Sequence, residues 1–391
     1  MKSNTAQQNI PQGWKQVVLG DLVSVTTGSR DANHGSPDGQ YPFFTCAQKV
    51  SKIDNFSFDT EAVLIAGNGD FNVKYYKGKF DAYQRTYVLS DFQNTTGLFV
   101  YQKAKQALND IMRNNQGSSV KFIKMGDLTD YEFDLPPIKE QQKIAEVLET
   151  LDEDISKTQE MIEATEKLKR GLMQQLFTRG IGHTKFKKTE LGEIPDEWET
   201  KDLKEISTKI GDGLHGTPEY SDNSKFYFIN GNNISEREIK IYPETKKISV
   251  EEHQLHKKEL THRSILLSIN GTIGNIGFYK GEEVALGKSV AYINCDDKIN
   301  KEFIAYQLET ERIYKHFTKE LTGTTIKNLS LGTIRQTPIF IPKLTEQKKI
   351  AEILSGVDEK ILVNRKLKEK LSLLKRGLMQ DLLSGKVRTS I

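Results

Sequence analysis

Two stretches of this chain carry a three- and four-residue apolar rhythm. In the first, the apolar positions are Ile144, Leu148, Leu151, Ile155, Ile162, Leu168, Leu172 and Leu176. In the second they are Ile350, Leu354, Val357, Ile361, Leu367, Leu371, Leu374, Leu378 and Leu382. Such spacing places these residues on one helix face, close to a coiled-coil seam. Pro136-Pro137 and Pro342 sit just before the starts, and Gly180, Gly182 and Gly385 mark the stops. The pattern predicts helices over 139–182 and 345–391, each a rod of roughly 60 Å. A helix that long needs a partner along its length. The intervening segments, 1–138 and 183–344, read as two globular heads.

The two helical stretches are copies of one another. Glu140–Ile155 reads EQQKIAEVLETLDEDI and Glu346–Ile361 reads EQKKIAEILSGVDEKI. KRGLMQ occurs at Lys169–Gln174 and again at Lys375–Gln380. All of this aligns at one offset of 206 with no gap, and 19 of 38 positions from Glu140 and Glu346 onward are identical, which excludes chance. At the same offset Gly117-Ser118-Ser119-Val120-Lys121 faces Gly323-Thr324-Thr325-Ile326-Lys327. The only two tryptophans lie in Pro11-Gln12-Gly13-Trp14 and Pro195-Asp196-Glu197-Trp198. His34-Gly35-Ser36-Pro37 echoes His215-Gly216-Thr217-Pro218, and Tyr76-Lys77-Gly78 echoes Tyr279-Lys280-Gly281. Elsewhere the heads have diverged. Each half is a variable head followed by a shared helix.

Charge suggests that the helices pair with each other. Residues 140–180 carry six basic and nine acidic groups, and residues 346–391 carry eleven basic and six acidic. Opposite net charges favour this pairing over self-pairing. Thr158 and Asn364 interrupt the two seams at equivalent positions near the helix midpoints. An antiparallel pair would bring the midpoints together, giving a central polar layer that sets register. The alternative places both residues in solvent.

Composition excludes several classes. A mean hydropathy of −0.55 and the absence of any run of ~20 apolar residues exclude a membrane-spanning chain. The opening Met1–Trp14 has no apolar core of a signal peptide, so no secretory signal is expected. Cys46 and Cys295 form no ligand pair, which argues against a disulfide framework and fits a reducing cytoplasm. The net charge of +3 is compatible with a nucleic-acid partner without requiring one. Residues 1–139 carry 15 basic and 14 acidic groups, so any positive surface must come from uneven placement.

No catalytic pattern holds. Gly287-Lys288-Ser289 ends like a phosphate-binding loop, but Glu282 stands where that loop needs glycine. Gly67-Asn68-Gly69 and Gly271-Thr272-Ile273-Gly274 read as tight turns. Glu238-Ile239-Lys240 has the shape of a nuclease triplet, with Asp222 upstream, yet no full metal-ligand set accompanies it. Leu135-Pro136-Pro137-Ile138 is not an amino-methyltransferase loop. His253-x-x-His256 reads as an exposed helical face, since no third ligand is evident, and no metal site is expected. A stand-alone nuclease or methyltransferase is therefore disfavoured, and the chain reads as a non-catalytic binder.

The order of these motifs, present twice, closely resembles the specificity (S) subunit of type I restriction-modification enzymes. The resemblance spans essentially the whole chain, and its most specific part is the helix from EQ-x-K-I-A-E to KRGLMQ. It implies an α+β fold. Two mixed α/β target-recognition domains (1–138 and 183–344) are separated by two long antiparallel coiled-coil helices in a pseudo-twofold tandem repeat. It further implies that the heads read the two parts of a bipartite, asymmetric site in double-stranded DNA. The helices would space them and dock modification (M) subunits, two per chain, with restriction (R) subunits joining the complex. S-adenosylmethionine, ATP and magnesium are expected in those partners, and no cofactor in this chain. Half-sites one turn of DNA apart lie about 34–36 Å from each other, within reach of such a rod. The leading alternative is a coiled-coil scaffold with two protein-binding heads.

Candidate DNA contacts come from polar loops that recur in both halves, because bases are read by Arg, Lys, Asn and Gln, and phosphates also by Ser, Thr and backbone amides. The first set is Arg30, His34 and Ser36 with His215 and Thr217. A structural turn, with glycine in an unusual conformation, is the competing reading there. The second is Arg85, in Gln84-Arg85-Thr86, matched to Lys288 in Gly287-Lys288-Ser289. The third is Ser118, Ser119 and Lys121 with Thr324, Thr325 and Lys327, a turn chemistry suited to phosphate. Asn230, Asn232 and Asn233 occur in the second half only, which suits base reading.

Overall fold

The computed structural model describes residues 10–114, 122–319 and 328–389. The two shared stretches form helices Ile138–Arg179 and Leu344–Leu383, of 42 and 40 residues. Each start is closed the same way: the amides of Glu140 and Gln141 donate to Pro137 O, and those of Glu346 and Gln347 to Lys343 O. Each end turns on a left-handed glycine, Gly180 (φ 61°) and Gly385 (φ 70°), a conformation that side-chain-bearing residues avoid.

Residues 1–160 and 364–391 form one compact unit and 161–363 the other, so each long helix gives one half to each unit. In unit 1 the helix halves run antiparallel. Asp152 pairs with Lys375 and Gln159 accepts from Lys368 Nζ at 2.7 Å. In unit 2 Lys169 pairs with Asp358 at 2.7 Å, and these are the repeat equivalents of Lys375 and Asp152. Charge sorts locally: residues 138–160 hold seven acidic and three basic groups, and residues 364–389 hold eight basic and two acidic. Burial opposes the charge of Asp152, but Lys375 and Lys105 outweigh it and hold the carboxyl below its usual range.

The seam departs from the predicted one. Ile144, Leu148, Leu151, Ile162, Leu176, Ile350, Leu354, Ile361 and Leu382 are buried, but Leu168, Leu367 and Leu374 are exposed. The charged neighbours Lys169 and Lys375 turn inward instead, because each faces an aspartate across the seam. Thr158 and Asn364 are both buried, yet they do not share a layer. The register of unit 1 sets Thr158 about level with Glu369, roughly 7–8 Å along the axis from Asn364. Thr158 Oγ1 donates back to Asp154 O at 2.6 Å, satisfying itself within its own helix. Asn364 Nδ2 finds no partner among the described residues.

The heads share a frame. Unit 1 has a six-stranded sheet in the order Ser24–Thr27, Thr86–Ser90, Phe58–Ala66, Val73–Ala82, Tyr41–Phe44, Ser51–Ile53. Only Tyr41–Phe44 and Val73–Ala82 pair in parallel. Unit 2 repeats the first four positions as Ser207–Asp212, Val290–Cys295, Ser264–Asn270, Thr272–Phe278. It then breaks at Tyr279-Lys280-Gly281, and Val284–Leu286 takes the parallel pairing with Phe226–Ile229. The matching Tyr76-Lys77-Gly78 stays within one strand, with Gly78 at φ 129° and Gly281 at φ 107°. A short ribbon ties each head to its helix: Lys15–Val18 with Glu132–Leu135, and Glu199–Asp202 with Pro338–Ile341.

Each head is also clasped through its tryptophan. Trp14 Nε1 donates to Glu140 Oε2 at 3.0 Å, and Trp198 Nε1 to Glu346 Oε2 at 3.2 Å. Arg388 grips Glu140 with two bonds (2.7 and 2.8 Å), and His183 Nε2 lies 3.0 Å from both Glu346 oxygens.

Unit 1 buries a lysine as well. Lys103 Nζ donates to Leu383 O (3.1 Å) at the carboxyl end of the second long helix and to Gln106 Oε1 (3.0 Å). The helix end attracts a cation, but burial outweighs the pull of Asp134 and Asp110 and pushes the pKa down to about 8. The folded chain therefore sheds this proton before the unfolded chain does. The cost of burying the charge is present below pH 8 and fades as pH rises to about 10.5, adding roughly 2–3 kcal/mol of stability across that window. Lys103→Met should abolish that rise. The difference in urea-unfolding free energy between wild type and variant checks it, and a difference that stays flat from pH 8 to 10 refutes it.

Candidate nucleic-acid interface

In both units four backbone segments meet at one end of the sheet. In unit 1 the turn Tyr83-Gln84-Arg85-Thr86 closes with Thr86 N on Tyr83 O at 2.8 Å. Arg30 bridges to Tyr83, and Gln84 N donates to Arg30 O. Gly67 N donates to Arg85 O, Ile123 N to Gly67 O, and Asn68 bridges to Phe122. Unit 2 repeats these contacts apart from the Gln84–Arg30 bond. Val290 N closes on Gly287 O at 3.0 Å, Leu214 bridges to Gly287, Ile269 N donates to Ser289 O, Leu329 N to Ile269 O, and Asn270 bridges to Asn328.

Two glycines permit this packing. A Cβ on Gly28 would lie 1.8 Å from Ala82 O, and one on Gly213 would lie 2.2 Å from Leu286 O. Only a residue without a side chain lets the first segment approach the turn so closely.

This frame corrects two alignments made on sequence. The turn Tyr83–Thr86 matches Gly287–Val290, so Gln84 corresponds to Lys288 and Arg85 to Ser289, one residue away from the motif match. His215 directly follows the bridged Leu214, whereas His34 lies four residues beyond the bridged Arg30. The two His-Gly-(Ser/Thr)-Pro segments are therefore not equivalent in place. Nor does Gly35 adopt an unusual conformation, at φ −62° and ψ 139°. The tight turns at the other glycine clusters do form, with Gly69 at φ 69° and Gly271 at φ 74°.

The side chains presented differ between units. In unit 1 Gln84 and Arg85 are exposed, and half-exposed Arg30 reaches buried Asp81 (3.4 Å). Cys46 Sγ lies 3.1 Å from Asn68 Oδ1, and burial pushes the pKa of nearby Lys74 down. His34 folds into its own short turn with Asp31, and Ser36 N donates to Lys52 O, so both lie along the Ser51–Ile53 edge rather than at the turn. In unit 2 Lys288 and Asn270 line a cleft of about 400 Å³ with His215, whose Nε2 is 2.7 Å from Asp212 Oδ2. Thr217 is exposed beyond it.

The asparagines of unit 2 divide. Asn230 Oδ1 accepts from Ser289 Oγ (2.9 Å), which brings it to the turn, and Asn232 is exposed. Asn233 is buried, accepting from Asn230 N and donating to Lys240 O and Thr245 Oγ1. It builds the loop and has nothing left to offer a base. Ser118, Ser119, Lys121, Thr324, Thr325 and Lys327 lie outside the described residues. The nearest described residues after them, Phe122 and Asn328, bridge to Asn68 and Asn270.

Asn68 and Asn270, outside the candidate contacts, also stand at this end of the sheet, and the sequence signal for them is the Asn-Gly that both halves carry (68–69 and 270–271). His253 is also corrected: it is buried and stacked on Phe226 at 3.8 Å, because its ring completes an apolar face. Glu238 and Lys240 pair with each other at 2.9 Å, and Lys240 with Glu236. Among the described residues no group of three or more His, Cys, Asp or Glu could hold a metal, and no helix is long and apolar enough to cross a membrane.

A family model for the type I restriction modification DNA specificity domain matches residues 11–166 and again 195–373. The chain belongs to this family. It is 41% identical over 192 residues to the type I restriction enzyme EcoDI specificity subunit of Escherichia coli, covering 49% of this chain and 41% of that relative. It is 28% identical over 403 residues to the MjaVIII specificity subunit of Methanocaldococcus jannaschii, covering 97% and 94% of the two. Its fold is like the crystal structure of a type I S subunit from M. genitalium (TM-score 0.65, 18% identity, 98% and 99% covered). It is also like a chain from work on complex assembly of the type I R-M system (TM-score 0.57, 14% identity, 97% and 100% covered). The two matched domains fall on the two repeats, as the tandem pattern required. The scaffold reading is not favoured, since the matched domains are DNA-specificity domains.

Proposed function

We propose that the two loop clusters are the reading ends of two DNA-recognition modules, each taking one part of a bipartite, asymmetric double-stranded site. The observation that carries this reading is one backbone frame presenting different side chains. Gln84 and Arg85 stand in unit 1 where Lys288 and Ser289 stand in unit 2, and Arg30 stands where unit 2 has Leu214, with His215 next to it. Shared geometry suits a common approach to the duplex, and different donors suit different bases. The chain itself contributes recognition and no chemistry. Adenine methylation, with S-adenosylmethionine, belongs to modification subunits, two per chain. ATP- and magnesium-dependent work belongs to restriction subunits. Docking would use apolar side chains left exposed on the long helices at repeat-equivalent positions. These are Leu367 and Leu374 in unit 1, and Met161 and Leu168 in unit 2. Each pair is seven residues apart and so lies on one helix face.

The test is a genome-wide methyladenine map of cells expressing the chain with its modification subunits. Arg85→Ala should relax one half of the methylated motif and Lys288→Ala the other, each by about 10- to 100-fold in discrimination at an affected base. If either variant alters both halves, or neither variant alters the motif, the two-reader assignment fails.

A further inference from the structure

Unit 2 contains a strained turn with a specific anchor. Ile234–Ser235 and Glu238–Ile239 form a hairpin closed by Glu236 and Arg237, at φ 52° and 62°. Two left-handed residues in a two-residue loop make a type I′ turn, a place that favours asparagine and glycine. Glutamate and arginine hold it here because Arg237 is fastened at its far end. Its guanidinium lies 3.5 Å over the Tyr306 ring and bonds Glu309 twice, at 3.0 and 2.5 Å. Asp358, on the second long helix, lies 3.8 Å from Arg237 and accepts from Tyr306 Oη (2.7 Å) and Lys169. Arg237 is thus joined to the cross-helix ion pair itself.

The other end of the hairpin leads to the reading turn. Asn275 Nδ2 holds Ile234 O (2.9 Å), and Asn233 pins the preceding loop. Gly231 N and Asn230 Oδ1 both bond Ser289 Oγ, at 2.8 and 2.9 Å. A short, fully bonded path therefore runs from Asp358 through Arg237 and the hairpin to Ser289, next to Lys288. In unit 1 the equivalent aspartate, Asp152, takes Lys105 from the Gly97–Asn114 helix instead of a residue from the sheet side.

We propose that Arg237 is a positioning residue. It fixes the Lys288-Ser289 turn of unit 2 against the long-helix pair, and so sets the geometry with which that unit reads its bases. The proposal rests on the reading of that turn as a DNA-contacting element.

The full-length chain with its modification subunits is tested on a randomised DNA duplex pool, with the selected sequences read out position by position. Lys288→Ala first identifies the half of the motif that unit 2 reads. The double variant Glu236→Asn with Arg237→Gly gives the turn the residues it favours and removes the anchor, so relief of the turn offsets part of the lost contacts, and thermal unfolding checks that the variant is folded. Discrimination in the half changed by Lys288→Ala should fall about tenfold at one or more positions, with the other half unchanged. Glu309→Gln, which leaves the turn intact, should shift the same half in the same direction, and carries the test if the double variant does not fold. An unchanged motif, or a change in the opposite half or in both halves, overturns the proposal. If Lys288→Ala itself alters neither half, the reading of the turn falls and the positioning role with it.

Discussion

Trp198→Ala should destabilise unit 2 by about 3–5 kcal/mol. The indole is fully buried within the core of that unit. Its removal leaves a cavity and takes from Glu346 the Nε1 donor it shares with His183 and the Ile181 amide. It also strips the contact against which Gly180 turns, where an added Cβ would lie 2.8 Å from the ring. Trp14→Ala should cost unit 1 less, because Arg388 keeps two bonds to Glu140 and shields the vacated side. There are two tryptophans, one in each unit. In the Trp198 variant all tryptophan fluorescence therefore reports on unit 1, while circular dichroism reports on the whole. Urea unfolding followed by both signals measures the loss, and a total change under about 1 kcal/mol would contradict the packing described.

A fragment of residues 1–190 should dimerise and, with modification subunits, direct methylation at a palindrome built from one original half-site. Unit 1 includes residues 364–391, so the fragment lacks Leu378, Met379, Leu382 and Leu383, which pack in the core of that unit. The repeat supplies replacements from a second copy: Leu172, Met173, Leu176 and Phe177. Lys169 would stand in for Lys375 against Asp152, and His183 for Arg388 against Glu140. Ile162 replaces Lys368, so the bond to Gln159 is lost. The sign of the charge effect follows from local pairing. Total charges along the helices suggest repulsion between identical copies. The antiparallel register instead sets residues 138–160, seven acidic and three basic, against 161–179, four basic and two acidic. The pairing is attractive but weaker than in the intact chain, where eight basic residues face the acidic half. Added salt should loosen the dimer, since attraction between surface charges is screened within ~8–10 Å near physiological ionic strength. Sedimentation without DNA measures this. A dimer that supports methylation at an asymmetric motif would rule out the two-reader model.

Glu140 carries a further sign of how tightly unit 1 is closed. Burial works against its charge, yet Arg388 and Trp14 outweigh that and hold its carboxyl below the usual range. Its contribution is present at neutral pH and is lost only as acid reprotonates it.

Local features of this protein were written in its sequence. The repeat offset, the two long helices, their proline starts and glycine stops, and the pairing of one tryptophan with each head all follow from patterns a few residues long, repeated once. Helical periodicity and backbone preferences act over such distances, so they can be read one segment at a time. What only the tertiary structure decided depends on partners far away in the chain. The inward turn of Lys169 and Lys375 in place of Leu168 and Leu374 follows from which aspartate each faces across the seam. The separation of Thr158 from Asn364 follows from the same register. Gly28 and Gly213 are required because a carbonyl more than fifty residues later presses against each. The recognition frame pairs His215, and not His34, with the reading turn, because loop lengths before the turn differ between the heads. Arg237 tolerates a left-handed turn only because Tyr306, Glu309 and Asp358 wait at its far end. In each case the energy lies in a contact between distant segments, and no local pattern encodes which segments will meet.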